Sequence, residues 1–261
     1  MNTTLDNIFG FSELGILQKR NIPKNTFYKQ DSFNTARKRL FTDHIEKIEL
    51  IAICDKNTTN IQSLENEERI YKEIFFIYIS LREDRSKHKK IADAVHHFIP
   101  NPVVIIFTCK SEFCVSVAHK RLSKQEKGEV VVENIYSSPW IDLQEPDESQ
   151  QKFLKKLHLK NFRFDSFFTL YDDILKAVIC STFIELIGEY LYSKRCKRDE
   201  LEEHASDRAR IEEEIRNYTK KEKELSNFGD KVANHESLLK AQKVLQDLKK
   251  DITNTLHTNH G

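Results

Sequence analysis

Glu73-Ile74-Phe75-Phe76-Ile77-Tyr78-Ile79-Ser80-Leu81 is the stretch on which the fold turns. It is short, apolar and rich in β-branched and aromatic residues, so it reads as a buried strand. Val103 to Phe107 repeats the pattern and predicts a second. Between them, Lys87 to Phe98 has helical spacing, with Ile91, Ala92, Val95 and Phe98 on one face and Pro100 and Pro102 ending it. Beyond Phe107, Lys110-Ser111-Glu112 turns the chain into Phe113-Cys114-Val115-Ser116-Val117, whose clean alternation marks the clearest hairpin of the chain. Gly128 then precedes a further strand, Val130 to Tyr136. A strand, a helix and a three-stranded meander predict an α+β domain, with a small mixed or antiparallel sheet and flanking helices.

Working outward, residues 1 to about 22 read as a leading segment loosened by Gly10 and Gly15. Pro23 begins a turn. Ser32 to Leu40 reads as a helix, with Ser32 as its N-cap and Phe33, Ala36, Leu40 and Phe41 at helical spacing. Asp43 to Cys54 alternates imperfectly and leaves helix and strand both open. After Trp140 come an acidic loop (Asp142 to Glu148), a polar helix and an apolar helical stretch from Phe167 to Tyr192. The run Lys194-Arg195-Cys196-Lys197-Arg198 divides a globular domain, residues 1–193, from a charged arm, residues 194–261.

The arm carries a narrow seam. Ile211, Ile215, Tyr218 and Leu225 step by four, three and seven, with Glu222 in the skipped slot; Leu238, Ala241, Leu245, Leu248 and Ile252 step by threes and fours. Gly229, between the two runs, reads as a helix stop. Helices so rich in Lys, Glu and Asp cannot bury such a stripe alone. The seam therefore needs a second helix, either the other arm folded back or another chain.

Composition excludes more than it identifies. The 17 Phe and 8 Tyr supply a real core, while only six Gly and five Pro argue against a loop-rich or low-complexity chain. A net charge of +1 gives no global bias toward nucleic acid or membrane. Five scattered cysteines suit reduced thiols. The N-terminus lacks a basic, then apolar signal pattern, and no run has the length of a membrane span. These features predict a cytoplasmic protein.

Candidate chemistry is sparse. Cys109, Cys114, His119, His96 and His97 lack the paired knuckles of structural zinc and read as strand and surface residues. Glu73 with Asp55 raises a nuclease with a degenerate metal site, yet Phe75 stands where a catalytic lysine is wanted. No phosphate loop, dinucleotide fingerprint, GxSxG or HExxH pattern is present. No catalytic residue, metal or cofactor is assigned. Two basic stretches offer more. Lys19, Arg20, Lys24, Arg37, Lys38 and Arg39 interleave with Tyr28, and Lys155, Lys156 and Lys160 with Phe153 and Phe162. Cations with aromatics suit a nucleic-acid groove, and the same pattern also describes a helix with a solvated charged face.

Several segments in succession resemble the bacterial domain of unknown function 4391 family. They are Ile22-Pro23-Lys24-Asn25-x-Phe27-Tyr28, then Leu40-Phe41-x-Asp43-x-Ile45-x-x-Ile48, then Ile99-Pro100-x-Pro102. Ser138-Pro139-Trp140-Ile141, Leu170-Tyr171 and the charged arm from Lys220 through Leu248 complete the series. The order and spacing cover nearly the whole chain; a longer aromatic stretch from Phe167 to Tyr192 and the arm glycine depart from the family. The resemblance implies no activity and no catalytic residue. Family members are often encoded beside DNA methyltransferases and Swi/Snf-type helicases in restriction-like or phage-defence clusters. It implies a non-enzymatic accessory subunit of a DNA-acting complex, a setting that the basic segments at 19–39 and 152–163 fit as candidate DNA contacts. Ile211, Ile215, Tyr218, Leu225, Leu245, Leu248 and Ile252 would dock a larger helicase or methyltransferase subunit. A metal-dependent nuclease and a self-assembling homo-oligomeric subunit are the alternatives.

Overall fold

Apolar strands that have no polar face must be covered twice, and the chain builds a helical layer for each side. A computed structural model describes residues 2–29, 34–126 and 128–257 in two compact units, 1–181 and 182–261. The first begins with α1 (Asn2–Phe9), β1 (Leu17–Asn21), α2 (Thr35–His44), β2 (Ile45–Asp55) and α3 (Lys56–Thr59). It continues through β3 (Leu64–Glu65), β4 (Ile70–Tyr71), β5 (Glu73–Leu81), α4 (His88–Phe98) and β6 (Val103–Cys109). It ends with β7 (Glu112–Leu122), β8 (Val130–Ser137), β9 (Ile141–Asp142), α5 (Glu148–Lys156) and α6 (Phe167–Thr182). The second holds α7 (Ile184–Ile187), α8 (Arg198–Glu224) and α9 (Phe228–His257).

The main sheet is mixed, in the order β1-β2-β5-β6-β7-β8, with β9 pairing β7 as a seventh strand. Its parallel pair is β5 and β6, with Phe75 opposite Val103 and Ser80 opposite Thr108. A parallel pair needs a crossover, and α4 supplies it. On one face, Ile77, Ile79, Ile105 and Phe107 lie beneath Phe41 of α2 and Ile91 and Val95 of α4. On the other, Phe76 packs edge-on to Phe9 and Phe11, at centroid distances of 6.0 and 5.0 Å. Each such side chain contributes about 1.5–3 kcal/mol on full burial. Both layers are thus required.

At its far end β7 bulges, its register against β8 shifting between Ala118 and Lys120. A bulge leaves backbone groups without strand partners. The buried Tyr171 hydroxyl serves the other edge of β7, beyond its last β6 pair, Val104 with Val117. It lies 2.8 Å from the Val103 carbonyl and 2.9 Å from the Ala118 carbonyl, and accepts the Ala118 N–H at 3.1 Å.

The central strands, the crossover helix and the hairpin follow the sequence expectation, and the Asp43 to Cys54 ambiguity resolves to strand β2. Other expectations are corrected. The leading segment is core: Phe9, Phe11 and Ile16 are buried and β1 is an edge strand. The expected cap Ser32, with Phe33, lies outside the described residues; α2 begins after Asn34, whose side chain accepts the Arg37 N–H. The Phe167 to Tyr192 stretch is not one helix. α6 ends at Thr182, and α7 closes at Gly188, which takes a left-handed φ of 92°.

In the second unit α8 and α9 pair within the chain as an antiparallel hairpin. His204 meets Thr255 near one end (3.3 Å), and Asn234 donates to the Tyr218 carbonyl (3.0 Å) near the other. Leu201, Ile211, Leu238, Ala241, Leu248, Ile252 and Leu256 are buried. Gly229 does not stop a helix; it lies in the first turn of α9, and the Asn227 side chain caps that turn by accepting the Gly229 N–H at 2.8 Å. The interhelix turn is Leu225 to Asn227, after α8 ends at an extended Leu225.

Gly10 has a φ of 74°, and the His158 ring occupies the space a β-carbon would need. Left-handed backbone costs an L-residue roughly 1–2 kcal/mol before any clash. Gly10→Ala should therefore lower the thermal midpoint of the protein by more than that strain alone. Adding His158→Ala to the same chain should recover the steric part. An unchanged midpoint in the single variant would contradict the packing described.

Candidate functional site

Past the bulge, β7 places His119 and Lys120 in an otherwise apolar interior, both buried. The Tyr71 hydroxyl lies 2.5 Å from His119 Nδ1, and His119 Nε2 lies 3.1 Å from Asp172 Oδ1 on α6. A carboxylate can only accept, so Nε2 carries the proton and Nδ1 accepts from Tyr71. The Lys120 N–H donates to the same hydroxyl at 3.1 Å. Burial pushes the Tyr71 phenol well above its ordinary value, so the hydroxyl stays protonated. Phe168 stacks on His119 at 5.2 Å, and the Arg69 guanidinium lies 5.6 Å from the Phe168 centroid. Arg69 also makes a two-pronged pair with Glu133, at 2.8 and 3.1 Å.

An Asp-His-Tyr line has the polarity of a proton relay. A catalytic group must come within hydrogen-bond reach of its substrate, however, and Tyr71 and His119 expose no surface. The line instead fastens the β3–β4 ribbon to β7 and α6. The neighbouring backbone agrees: Phe167 N–H donates to the Gln62 carbonyl at 3.0 Å.

Lys120 reaches through the interior to the end of α4. Its ammonium donates to the carbonyls of His96, at 2.8 Å, and Ile99. A cation is favoured at a helix C-terminus, but burial opposes the charge and pushes the Lys120 pKa down to about 7. His96 is wholly buried, with its own pKa well below the usual histidine range, first by burial and then by the charge of Lys120. Its Nδ1 has no hydrogen-bond partner, and its Nε2 lies 3.4 Å from Ser116 Oγ.

Cys109 and Cys114 are buried, their thiols directed at the carbonyls of Arg82 (3.8 Å) and Ser138 (3.2 Å). Burial pushes the Cys114 thiol up to about 12, far from the thiolate that metals and nucleophilic chemistry require. Glu73 stands opposite Asp55 in the sheet register and accepts from the Asn101 amide at 2.9 Å. Among the described residues no three His, Cys, Asp or Glu side chains converge to hold a metal ion. None of their helices is long and apolar enough to cross a membrane.

The basic candidates divide between the two faces of the sheet. Lys19 and Arg20 lie exposed on edge strand β1. Lys24 donates to the Ile45 carbonyl, and the Tyr28 hydroxyl meets Thr42 Oγ1 at 3.2 Å. Arg37, Lys38 and Arg39 ride on α2, in the layer shared with α4. Lys155, Lys156 and Lys160 belong to α5 and the turn after it, which packs on the α1 side through His158 against Gly10. Lys156 is engaged locally, with the Asn161 carbonyl at 2.8 Å and the Phe162 ring at 4.4 Å.

Of the seam residues, Ile211, Leu248 and Ile252 are buried in the hairpin, and Ile215, Tyr218, Leu225 and Leu245 are half-buried. A different set faces outward on α9: Phe228 is 81% exposed, Val232 43%, Leu239 52% and Val244 50%. At 100° per residue the first three fall within about 40° of one another, and Val244 lies about 160° from Phe228. Sequence reading missed them because Phe228 sat inside a presumed break and Val232 and Leu239 lie off the seam period.

The geometry defines a class: a mixed sheet between two helical layers, followed by a helical hairpin, with its buried polar network committed to architecture. Residues 16–245 match the family model described as Domain of unknown function (DUF4391), and the chain belongs to that family. No curated protein and no solved structure matches it. Most segments that carry the resemblance are interior contacts here. Phe27 packs on Phe41 at 5.1 Å, Ser138 Oγ accepts the Val115 N–H, and the Tyr171 hydroxyl accepts the Ala118 N–H.

Between pH 7 and about 10 the folded Lys120 is largely neutral, while an unfolded lysine stays protonated. The unfolded chain then binds more protons, so stability should rise with pH by up to about 1.4 kcal/mol per unit. Below pH 7 both states are protonated and this contribution flattens. Urea midpoints at pH 7, 8 and 9 should climb in the wild type and climb less steeply in Lys120→Met. An equal slope in the two proteins would assign the effect to other groups.

Proposed function

We propose that the chain is a non-enzymatic accessory subunit of a bacterial DNA-modification or defence complex, docking a larger helicase or methyltransferase subunit through the outer face of its helical hairpin. The observation that carries this reading is the exposed stripe Phe228, Val232 and Leu239. An isolated apolar side chain on a surface needs no explanation, whereas three on one helical stripe do. The hairpin consumes Ile211, Leu248 and Ile252 in its own interior, which leaves the outer face to meet a partner. Recognition of this kind lays apolar residues of one helix face into a groove or against another helix. The full burial of Tyr71 and His119 supports a role without catalysis, and the family resemblance supplies the DNA-acting setting.

The test is co-purification of the tagged protein expressed with the products of its genomic neighbours. Wild type should bring down a helicase or methyltransferase subunit. Phe228→Glu combined with Leu239→Glu should lose it while far-UV circular dichroism stays unchanged, because both side chains already face water. Retention of the partner by the double variant would sink the reading. A wild-type dimer that the same double variant dissolves would make the stripe a self-assembly surface instead.

A further inference from the structure

The folded first unit gathers positive charge that is scattered in the sequence. Lys24 follows edge strand β1, Lys38 and Arg39 lie on α2, Arg82 follows β5, and Lys89 and Lys90 open α4. Three contacts tie these segments into one surface. The Arg82 N–H donates to the His44 carbonyl at the end of α2, at 2.9 Å. Lys24 donates to the next carbonyl, Ile45. Arg37 on α2 meets Asp93 on α4 at 3.5 Å, one helical turn from Lys89 and Lys90. Segments 17–29, 34–44 and 82–97 hold twelve Lys and Arg against four Asp and Glu, in a chain whose net charge is only +1.

The charge there is uncompensated as well as concentrated. Among the described residues none of Lys38, Arg39, Arg82, Lys89 or Lys90 has a carboxylate within 4.0 Å. The arginines of α8 behave differently: Arg208, Arg210 and Arg216 each pair with a Glu or Asp three or four residues away. The crowding is felt locally, since the Lys24 pKa is lowered first by burial and then by the charge of Arg82. Self-repulsion of this kind destabilises a fold unless an anion relieves it. Lys89 and Lys90 also stand in the first turn of α4, where the helix dipole disfavours cations.

The aromatic inventory says which polyanion fits. Single strands are held by exposed rings on which bases stack. The rings of this layer are engaged elsewhere: Phe27 and Phe41 are buried, Phe98 packs on Phe27 at 4.5 Å, and Tyr28 is tied to Thr42. Trp140, half-buried against the same cluster, lies under the Arg85 guanidinium at 5.8 Å. The outward cations are the equipment for phosphate contacts without base readout.

We infer that the α2–α4 layer binds the phosphate backbone of double-stranded nucleic acid without sequence preference, with Lys24, Lys38, Arg39, Arg82, Lys89 and Lys90 as its contacts. This deepens the accessory-subunit reading by locating its nucleic-acid surface, and it needs neither the hairpin stripe nor a partner. It also separates these residues from Lys155, Lys156 and Lys160, which lie with the other layer.

The test is fluorescence anisotropy of the purified full chain with labelled duplex DNA, duplex RNA and single-stranded DNA of arbitrary sequence, across a salt series. Wild type should bind duplex more tightly than single strand, with affinity falling linearly in log salt at about 0.9 per neutralised phosphate. The DNA and RNA duplex arms decide which duplex is preferred. Lys38→Glu, Arg39→Glu, Lys89→Glu and Lys90→Glu together should weaken duplex binding at least about tenfold and flatten the salt slope. The matching glutamine set should give a smaller loss in the same direction, with circular dichroism unchanged in both. Lys155→Glu with Lys160→Glu should bind as wild type does. Preference for single strand, or undiminished binding by the glutamate set, would overturn the inference. Loss confined to the Lys155 and Lys160 variant would move the surface to the other layer.

Discussion

The structure depends on the parallel pair β5 and β6, which is apolar on both faces. A strand of this kind is stable only between two covered surfaces. Helices α2 and α4 cover one side, and α1 with the aromatic residues around it covers the other. Once α4 is committed as the crossover, its N-terminus must lie near the end of β5 and its C-terminus near the start of β6. The first places Lys89 and Lys90 beside α2. The second brings the carbonyls of His96 and Ile99 within reach of Lys120.

The buried polar groups follow from one mismatch in strand length. β7 runs on past Val117, the last of its residues to pair with β6, so backbone groups of Ala118 and Lys120 have no β6 residue to meet. Side chains from α6 and from the ribbon ahead of β5 satisfy them. Unmet hydrogen bonds in an apolar interior cost more than well-made ones return, so such a network is held closed. That is why an arrangement with the chemistry of a relay serves here as a fastening.

The two units handle surface charge differently. On α8, Arg208, Arg210 and Arg216 pair with acids at helical spacing, and the outward stripe of α9 is apolar. In the first unit Lys38, Arg39, Arg82, Lys89 and Lys90 of the α2–α4 layer have no carboxylate within 4.0 Å among the described residues, while Arg37 pairs with Asp93. Each unit thus carries its own kind of surface, apolar on the hairpin and cationic on the α2–α4 layer.

Much of the fold was legible because its signals are local. Strands β5 and β6, helix α4, the turn at Lys110 and the hairpin seam each follow from periodicity and turn residues within a few positions. Misreadings arose where the deciding contact is distant. Gly10 looks like a loosening residue until His158 is seen against it, and Gly229 looks like a stop until Asn227 is seen capping the next helix. The sequence by itself determined the apolar faces and hence the need for two layers and a paired arm. Only tertiary structure decided that the arm pairs with itself, that Tyr71 meets His119 and that Lys89 and Lys90 join the basic residues of α2. The physical reason is that burial patterns are written along the chain, whereas charges and hydrogen-bond donors find their neighbours only after the sheet has fixed which segments lie side by side.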